Sequence, residues 1–145
     1  MISIREYKKR VDDTGDELPL LTLDEFFAGN SDEDAIAPNQ ENEGRPKIAE
    51  IYEKFKSLEN HDNIAWIRVL LHDDTEIIED GDNEKITLYG ESILICTDFS
   101  PEEIECLVDC EWLQSDGVLE LELDEFINTY PEISEGFRCF EVMWD

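Results

Sequence analysis

Apolar and polar positions along this chain fall into stretches of two different periods. Asn63 to Leu71, Asn-Ile-Ala-Trp-Ile-Arg-Val-Leu-Leu, is rich in β-branched and aromatic residues and stops at His72-Asp73-Asp74. Extended, it turns Ile64, Trp66 and Leu70 to one side and Ala65, Ile67, Val69 and Leu71 to the other. Both faces are largely apolar, so the pattern predicts an inner strand covered on both sides. Its length and its β-branched residues favour strand over helix.

The helical period is clearest after Pro46, a residue favoured in a first turn. Ile48, Ile51, Tyr52, Phe55 and Leu58 form one apolar stripe, with Glu50, Glu53, Lys54, Lys56 and Glu59 facing solvent. Glu50 and Lys54 are spaced as a favourable i,i+4 pair. Asn60-His61-Asp62-Asn63 ends that helix. A second helix start is Ser100-Pro101-Glu102-Glu103, an N-cap Ser followed by Pro and acids. Ile104, Leu107, Val108 and Trp112 are its expected buried stripe.

Between these helices the chain reads as a long, bent antiparallel hairpin. Thr75 to Glu79 leads into Asp80-Gly81-Asp82-Asn83, and Asp-Gly is a hairpin turn signal. Lys85 to Tyr89 alternates again, Gly90 suggests a bulge, and Ser92 to Thr97 reads as a second inner strand. Later, Asp116-Gly117 predicts a turn, Val118 to Leu123 a short strand, and Asp124 to Tyr130 a helical turn stopped by Pro131. A last strand over Phe137 to Trp144 has Phe137, Cys139 and Met143 on one side and Phe140, Val142 and Trp144 on the other. As an edge strand it would be open to pairing with another chain.

The first third is less regular. Residues 1–17 are polar and read as a loosely held arm, with Ile2-Ser3-Ile4 available as a short edge strand. Thr22-Leu23-Asp24-Glu25 matches a capping box, and Phe26 and Phe27 follow before the helix-stopping Gly29-Asn30. Residues 29–44 show no apolar period; a loop that long tends to be functional or mobile, with Ile36 and Pro38 placed to tack it down. Leu-Asp-Glu-Phe occurs at Leu23 to Phe26 and again at Leu123 to Phe126, but the flanks do not match beyond an L-x-L lead-in. We read two similar helix starts, since a duplication should share more. The expected architecture is a single α+β domain over residues 18–145. It consists of an antiparallel sheet of three to five strands with two main helices packed on it.

Charge changes this picture from fold to partner. The 145 residues carry 39 acidic and 11 basic side chains, a net charge of -28. Arg5, Lys8, Lys9 and Arg10 lie in the first eleven positions with Glu6 as the only acid, leaving 7 basic against 38 acidic residues from Asp12 onward. Such a surface repels nucleic acid and anionic membranes and attracts basic proteins and cations. Hydrophobic residues still make up 41%, enough for a core in a chain of this length.

No charged start followed by an apolar h-region is present, and no stretch approaches eighteen apolar residues, so the cytosol is the expected compartment. There Cys96, Cys106, Cys110 and Cys139 are expected as reduced thiols, buried or half-buried. Cys106 and Cys110 are spaced to meet on a helix, but zinc needs four ligands and nothing brings His61 or His72 to them. The calcium-loop pattern counted back from Gly81 meets Ile78 where a ligand should stand. Gly-rich phosphate loops, G-x-S-x-G and H-E-x-x-H are absent from the sequence. No cofactor, metal site or catalytic residue is therefore expected.

The remaining candidates are acidic. Asp73, Asp74, Glu76, Glu79, Asp80, Asp82 and Glu84 are expected to crowd the far end of the hairpin. Asp32, Glu33 and Asp34, with Glu41 and Glu43, crowd the long loop. Held on a stiff frame, such carboxylates resemble a phosphate backbone to a basic protein and compete for its cationic groove.

Leu18 to Asn30, the run Ile36-Ala37-Pro38-Asn39, the Ser100 to Glu103 helix start and the ending Met143-Trp144-Asp145 together resemble a group of small, acidic, mostly uncharacterised bacterial proteins. Size and acidity are similar to those of immunity proteins of bacterial polymorphic-toxin systems, including contact-dependent growth inhibition. That resemblance implies a cytosolic protein that binds its cognate toxin domain and catalyses nothing. The leading expectation is thus a binding protein that neutralises a basic partner, concretely an immunity protein against a toxin domain such as a nuclease. A non-catalytic regulatory or scaffold domain is the alternative, and a small hydrolase or metal-dependent enzyme the third.

Overall fold

The computed structural model describes residues 1–38, 40 and 43–144. It is an α+β fold built on one four-stranded antiparallel sheet with the order β1-β4-β6-β5. Here β1 is Ile64–Leu71, β4 Gly90–Thr97, β5 Gly117–Glu120 and β6 Arg138–Met143. A separate ribbon pairs β2 (Glu76–Asp80) with β3 (Asn83–Thr87). The chain from β1 to β4 is therefore the expected long hairpin, bent where His72–Thr75 and Leu88–Tyr89 leave the ladder.

The inner strands are β4 and β6, whereas β1 is an edge strand, a correction to the reading of Asn63 to Leu71 as internal. The apolar run remains sensible because its open side is covered. Val69 and Leu21 exchange backbone hydrogen bonds in both directions, at 2.7 and 3.1 Å. The reading of β6 as a possible edge is likewise corrected; it lies between β4 and β5. A register irregularity between Ile64 and Trp66 also moves Ile64 to the face of Ile67 and Val69, leaving Ala65 exposed. Strict alternation had put Ile64 beside Trp66, and an extra residue in the ladder breaks that count. A second irregularity, between Leu70 and Leu71 opposite Ser92 and Gly90, sits where Gly90 suggested a bulge.

One sheet face carries Ile67, Val69, Ile93, Ile95, Phe140 and Val142 against all the helices. The other carries Trp66, Leu94, Cys96 and Cys139 and is covered by the irregular segment containing Leu123, Ile127 and Tyr130. Ser92 and Thr97, the buried polar ends of β4, are satisfied by Glu141 Oε2 at 2.6 Å and Asn63 O at 2.7 Å.

Residues 1–17 contain a helix where an arm and edge strand were expected. α1 (Ile4–Asp13) starts at Ser3, whose hydroxyl accepts the Glu6 N–H. Ile2 and Tyr7 enter the main core, and the N-terminal ammonium donates to the Ala28 carbonyl. Two apolar anchors suffice for a short amphipathic helix docked on a larger body. α2 (Leu23–Phe27) has the full capping box between Thr22 and Glu25. α3 (Ile48–Glu59) begins two residues after Pro46, with Lys47 at the N-cap. Glu33 from the long loop accepts the Ile48 N–H at 2.9 Å. Glu50 receives the Lys47 N–H, while Lys54 lies over the Trp112 ring at 5.6 Å, so the expected Glu50–Lys54 pair gives way to other partners.

α4 (Pro101–Val108) stops at Asp109, which is left-handed with φ 55°, and α5 (Cys110–Leu113) restarts there. That break rotates the following residues. Leu113 is buried in place of Trp112, which is 39% exposed. Cys106, before the break, is exposed and Cys110, after it, is half-buried, against the expectation that both thiols would be buried or half-buried. The second Leu-Asp-Glu-Phe yields only a 3-10 turn, Leu123–Glu125, rather than a helical turn to Tyr130.

Candidate functional site

The carboxylates expected to crowd one hairpin end are divided between its base and its tip. At the base, Asp73, Asp74 and Glu76 line an open cleft of about 590 Å³ with Asp34, Pro38 and Tyr89. The sequence analysis assigned Asp34 to the loop cluster and the other three acids to the hairpin; the fold joins them. At the tip, Glu79, Asp80, Asp82 and Glu84 are exposed. Glu79 stands directly opposite Glu84 in the ladder, a like-charge pairing that is unfavourable by itself. Lys8 of α1 relieves it through a 2.9 Å bridge to Glu84.

The loop acids also part company. Glu33 is committed to the N-terminus of α3. Asp32 borders a smaller hollow of about 180 Å³ with Met1, Asn30 and Lys85. Its Oδ1 accepts the Asp34 N–H at 2.9 Å, and its carbonyl accepts the Ala35 N–H. Glu43 is exposed, and Glu41 lies outside the described residues.

The cleft is a braced structure. Gly90 N–H donates to Ala35 O at 2.6 Å, and Ala37 N–H donates to Gly90 O at 2.8 Å, which stitches the long loop to the start of β4. Ala35 and Ile36 are wholly buried. Arg45 donates to Ile36 O, and its charge interacts with Asp34. On the hairpin side, Thr75 Oγ1 donates to Tyr89 O and accepts Tyr89 N–H, both at 3.0 Å, and His72 N–H donates to Tyr89 O at 2.7 Å. His72 Nδ1 accepts the Asp74 N–H at 3.0 Å. Tyr89 thus has a fixed backbone under the carboxylates. Burial first, and then the fields of Asp32, Asp34, Glu76 and Asp74, push its hydroxyl above the usual value.

An acidic cleft with an aromatic ring at its wall can take a cation: the carboxylates supply charge-assisted acceptors and the ring face adds cation–π attraction. Among the described residues, no group of three or more His, Cys, Asp or Glu side chains has the geometry to hold a metal ion. Tyr89 was read from the sequence only as the end of an alternating strand, and Pro38 only as a residue that tacks the long loop down. Neither carries a chemical motif that would have placed it at a site.

The fold and this cleft define an acidic α+β protein with an open, carboxylate-lined cleft at the base of its hairpin. The chain belongs to the Uncharacterized protein YfbO family, whose model matches residues 2–142 and so spans every element from α1 into β6. No curated protein and no solved structure matches it. No helix among the described residues is long and apolar enough to cross a membrane.

Proposed function

We propose that the protein is an acidic binding protein that neutralises a basic protein partner, and that it serves as an immunity protein against a cognate toxin domain in the cytosol. The observation carrying this reading is the cleft at the hairpin base, where Asp34, Asp73, Asp74 and Glu76 converge beside Tyr89 from segments far apart in sequence. An arginine or lysine from the partner inserts there, and the tip acids Glu79, Asp80 and Asp82 extend the negative field that steers the encounter. A nuclease is a natural target, since its active-site groove is already built to hold anions. No chemical step is required of this chain.

The test is affinity capture from the native cell, followed by association kinetics with the recovered partner. A basic protein should be recovered. Replacing Asp74 and Glu76 by Lys should slow association, most strongly at low salt, where unscreened charges steer the approach. The triple reversal of Asp80, Asp82 and Glu84 reports whether the tip contributes separately. Unchanged on-rates for both variants at low salt would remove this surface from the interaction and the proposal with it.

A further inference from the structure

A second concavity has the opposite character. An open pocket of about 420 Å³ lies between α1, Leu18 to Leu20, Arg68 of β1 and Thr129 to Pro131. Its walls are apolar at Leu18, Pro19, Leu20 and Pro131, with the Tyr130 ring beside them. Two arginines reach it. Arg10 is already consumed: its guanidinium forks onto both Glu25 oxygens, and its Nε donates to Glu6 at 3.2 Å. Arg68 differs. Its one hydrogen bond among the described residues runs from Nη1 to the carbonyl of its neighbour Ile67, at 2.9 Å. No carboxylate among those residues lies within 4.0 Å of it. Its guanidinium carbon sits over the Trp66 ring, 5.8 Å from the ring centre. Burial pulls its pKa below the ordinary value, and Glu59 and Glu25 oppose that only through their fields, without direct contact, so the guanidinium is half-buried with no carboxylate of its own.

The walls are held ready. Glu17 clasps the Asn128 side chain and backbone at 3.0 to 3.3 Å, joining the segment before Leu18 to the segment before Thr129. Thr14 closes the end of α1 by donating to Glu17 O at 2.6 Å. Of the charged residues in the lining, Glu6 and Arg10 are paired with each other and Asp13 is exposed, which leaves Arg68 as the anchor; preformed pockets of this size with apolar walls and few polar anchors suit small ligands.

We infer that this pocket binds a small monocarboxylate with an apolar body, its carboxylate on the Arg68 guanidinium and its body against Leu18, Pro19, Leu20 and Tyr130. The planar fork matches a carboxylate in two parallel hydrogen bonds. The negative field of the whole molecule, with Asp13 at the pocket lining, selects one charge over several. The inference is independent of the acidic cleft and its partner.

Hexanoate and phenylacetate, each titrated into isotope-labelled full chain and followed by amide NMR shifts, test it, with hexanol as the uncharged control. Either acid should give saturable shifts at the amides of Leu20, Arg68, Thr129 and Tyr130, and hexanol should bind more weakly. Arg68→Gln should weaken acid binding by at least about tenfold, the cost of a charge-assisted hydrogen bond. Thr129→Glu, an exposed substitution that brings a negative charge to the pocket without disturbing the sheet, should weaken it in the same direction. Absence of saturable shifts with both acids, equal binding of hexanol, or acid binding undiminished in both variants would overturn the inference.

Discussion

The two Leu-Asp-Glu-Phe segments allow a controlled test of what burial contributes, because the local sequence is held constant. Phe26 is wholly buried in α2, edge-on to Phe27 with ring centroids 4.8 Å apart, and its tip presses on Gly90 so closely that a Cβ there would lie 3.2 Å away. Phe126, after the 3-10 turn, is 68% exposed. Phe26→Ala removes a whole ring from a packed site that cannot collapse around the gap, a loss of about 3–5 kcal/mol. Phe126→Ala removes a ring already in water and should change stability by no more than about 0.5 kcal/mol. With a slope of about 2 kcal/mol per molar urea, the two midpoints should separate by roughly 1.2–2.5 M. Equilibrium urea unfolding, followed by tryptophan fluorescence and by far-ultraviolet circular dichroism to check two-state behaviour, measures both. Equal losses in the two variants, or a Phe26→Ala loss below about 1 kcal/mol, would refute the packing argument.

Gly90→Ala places a Cβ 3.0 Å from Ile36 Cδ1 and 3.1 Å from Val69 Cγ1, so unfolding should show an overpacking loss of about 1–3 kcal/mol, partly relieved by Phe26→Leu in the double variant. Burial raises the Glu25 carboxyl, but the Arg10 fork and the Thr22 hydrogen bonds outweigh it and hold its pKa below the ordinary 4.5. A depressed carboxyl stabilises the fold above its unfolded pKa and loses that stabilisation as pH falls, so the stability gap between the native chain and Glu25→Gln should be constant near neutrality and shrink below pH 4.5 in urea titrations. Cys96 and Cys139 face each other across β4 and β6, and burial pushes their thiols up to about 11 and about 12. A thiol reagent should therefore label exposed Cys106 first, half-buried Cys110 more slowly, and Cys96 and Cys139 only on unfolding, as read by mass spectrometry of the labelled peptides.

Elements with a strong local period were legible in the sequence, and those decided by long-range contacts were not. The stripe from Ile48 to Leu58, the Thr22 capping box and the Ser100 start all encode their geometry within one or two turns. The hairpin was legible because Asp80-Gly81 marks its turn and apolar strands flank it. The fate of β1 was not, because an edge strand sealed by Leu21 carries the same apolar pattern as an inner one. α1 escaped notice because Tyr7 alone along it reaches deep burial, with Ile4 and Val11 only partly buried beside it, too little for a visible stripe. Asp109 is one residue in a left-handed turn; aspartate tolerates that conformation without announcing it, and the misplaced Trp112 follows from it. At the candidate site, the acidic residue types were evident, but their division between base and tip depended on the loop being stitched to Gly90.

That stitching bears on why the acids stand where they do. The chain has few cations, and its ion pairs gather them around the helices and along the sheet's far edge: Arg10 with Glu6 and Glu25, Lys56 with Asp24 and Glu59, Lys8 with Glu84, Arg138 with Glu120. Among the described residues, no lysine or arginine lies within 4.0 Å of Asp73, Asp74 or Glu76. Uncompensated like charge works against the compact state, and flexible solvated turns minimise that cost by letting the side chains spread. Here the backbone does the reverse. Thr75 and His72 fix Tyr89, and Ala35 and Ala37 fix Gly90, so the two acidic segments are held facing one cleft. Solubility depends on net charge and does not draw on such bracing. The proposed binding function would draw on that rigid convergence, because a cation arriving from outside would meet several acceptors already in position, without the entropy loss of gathering them.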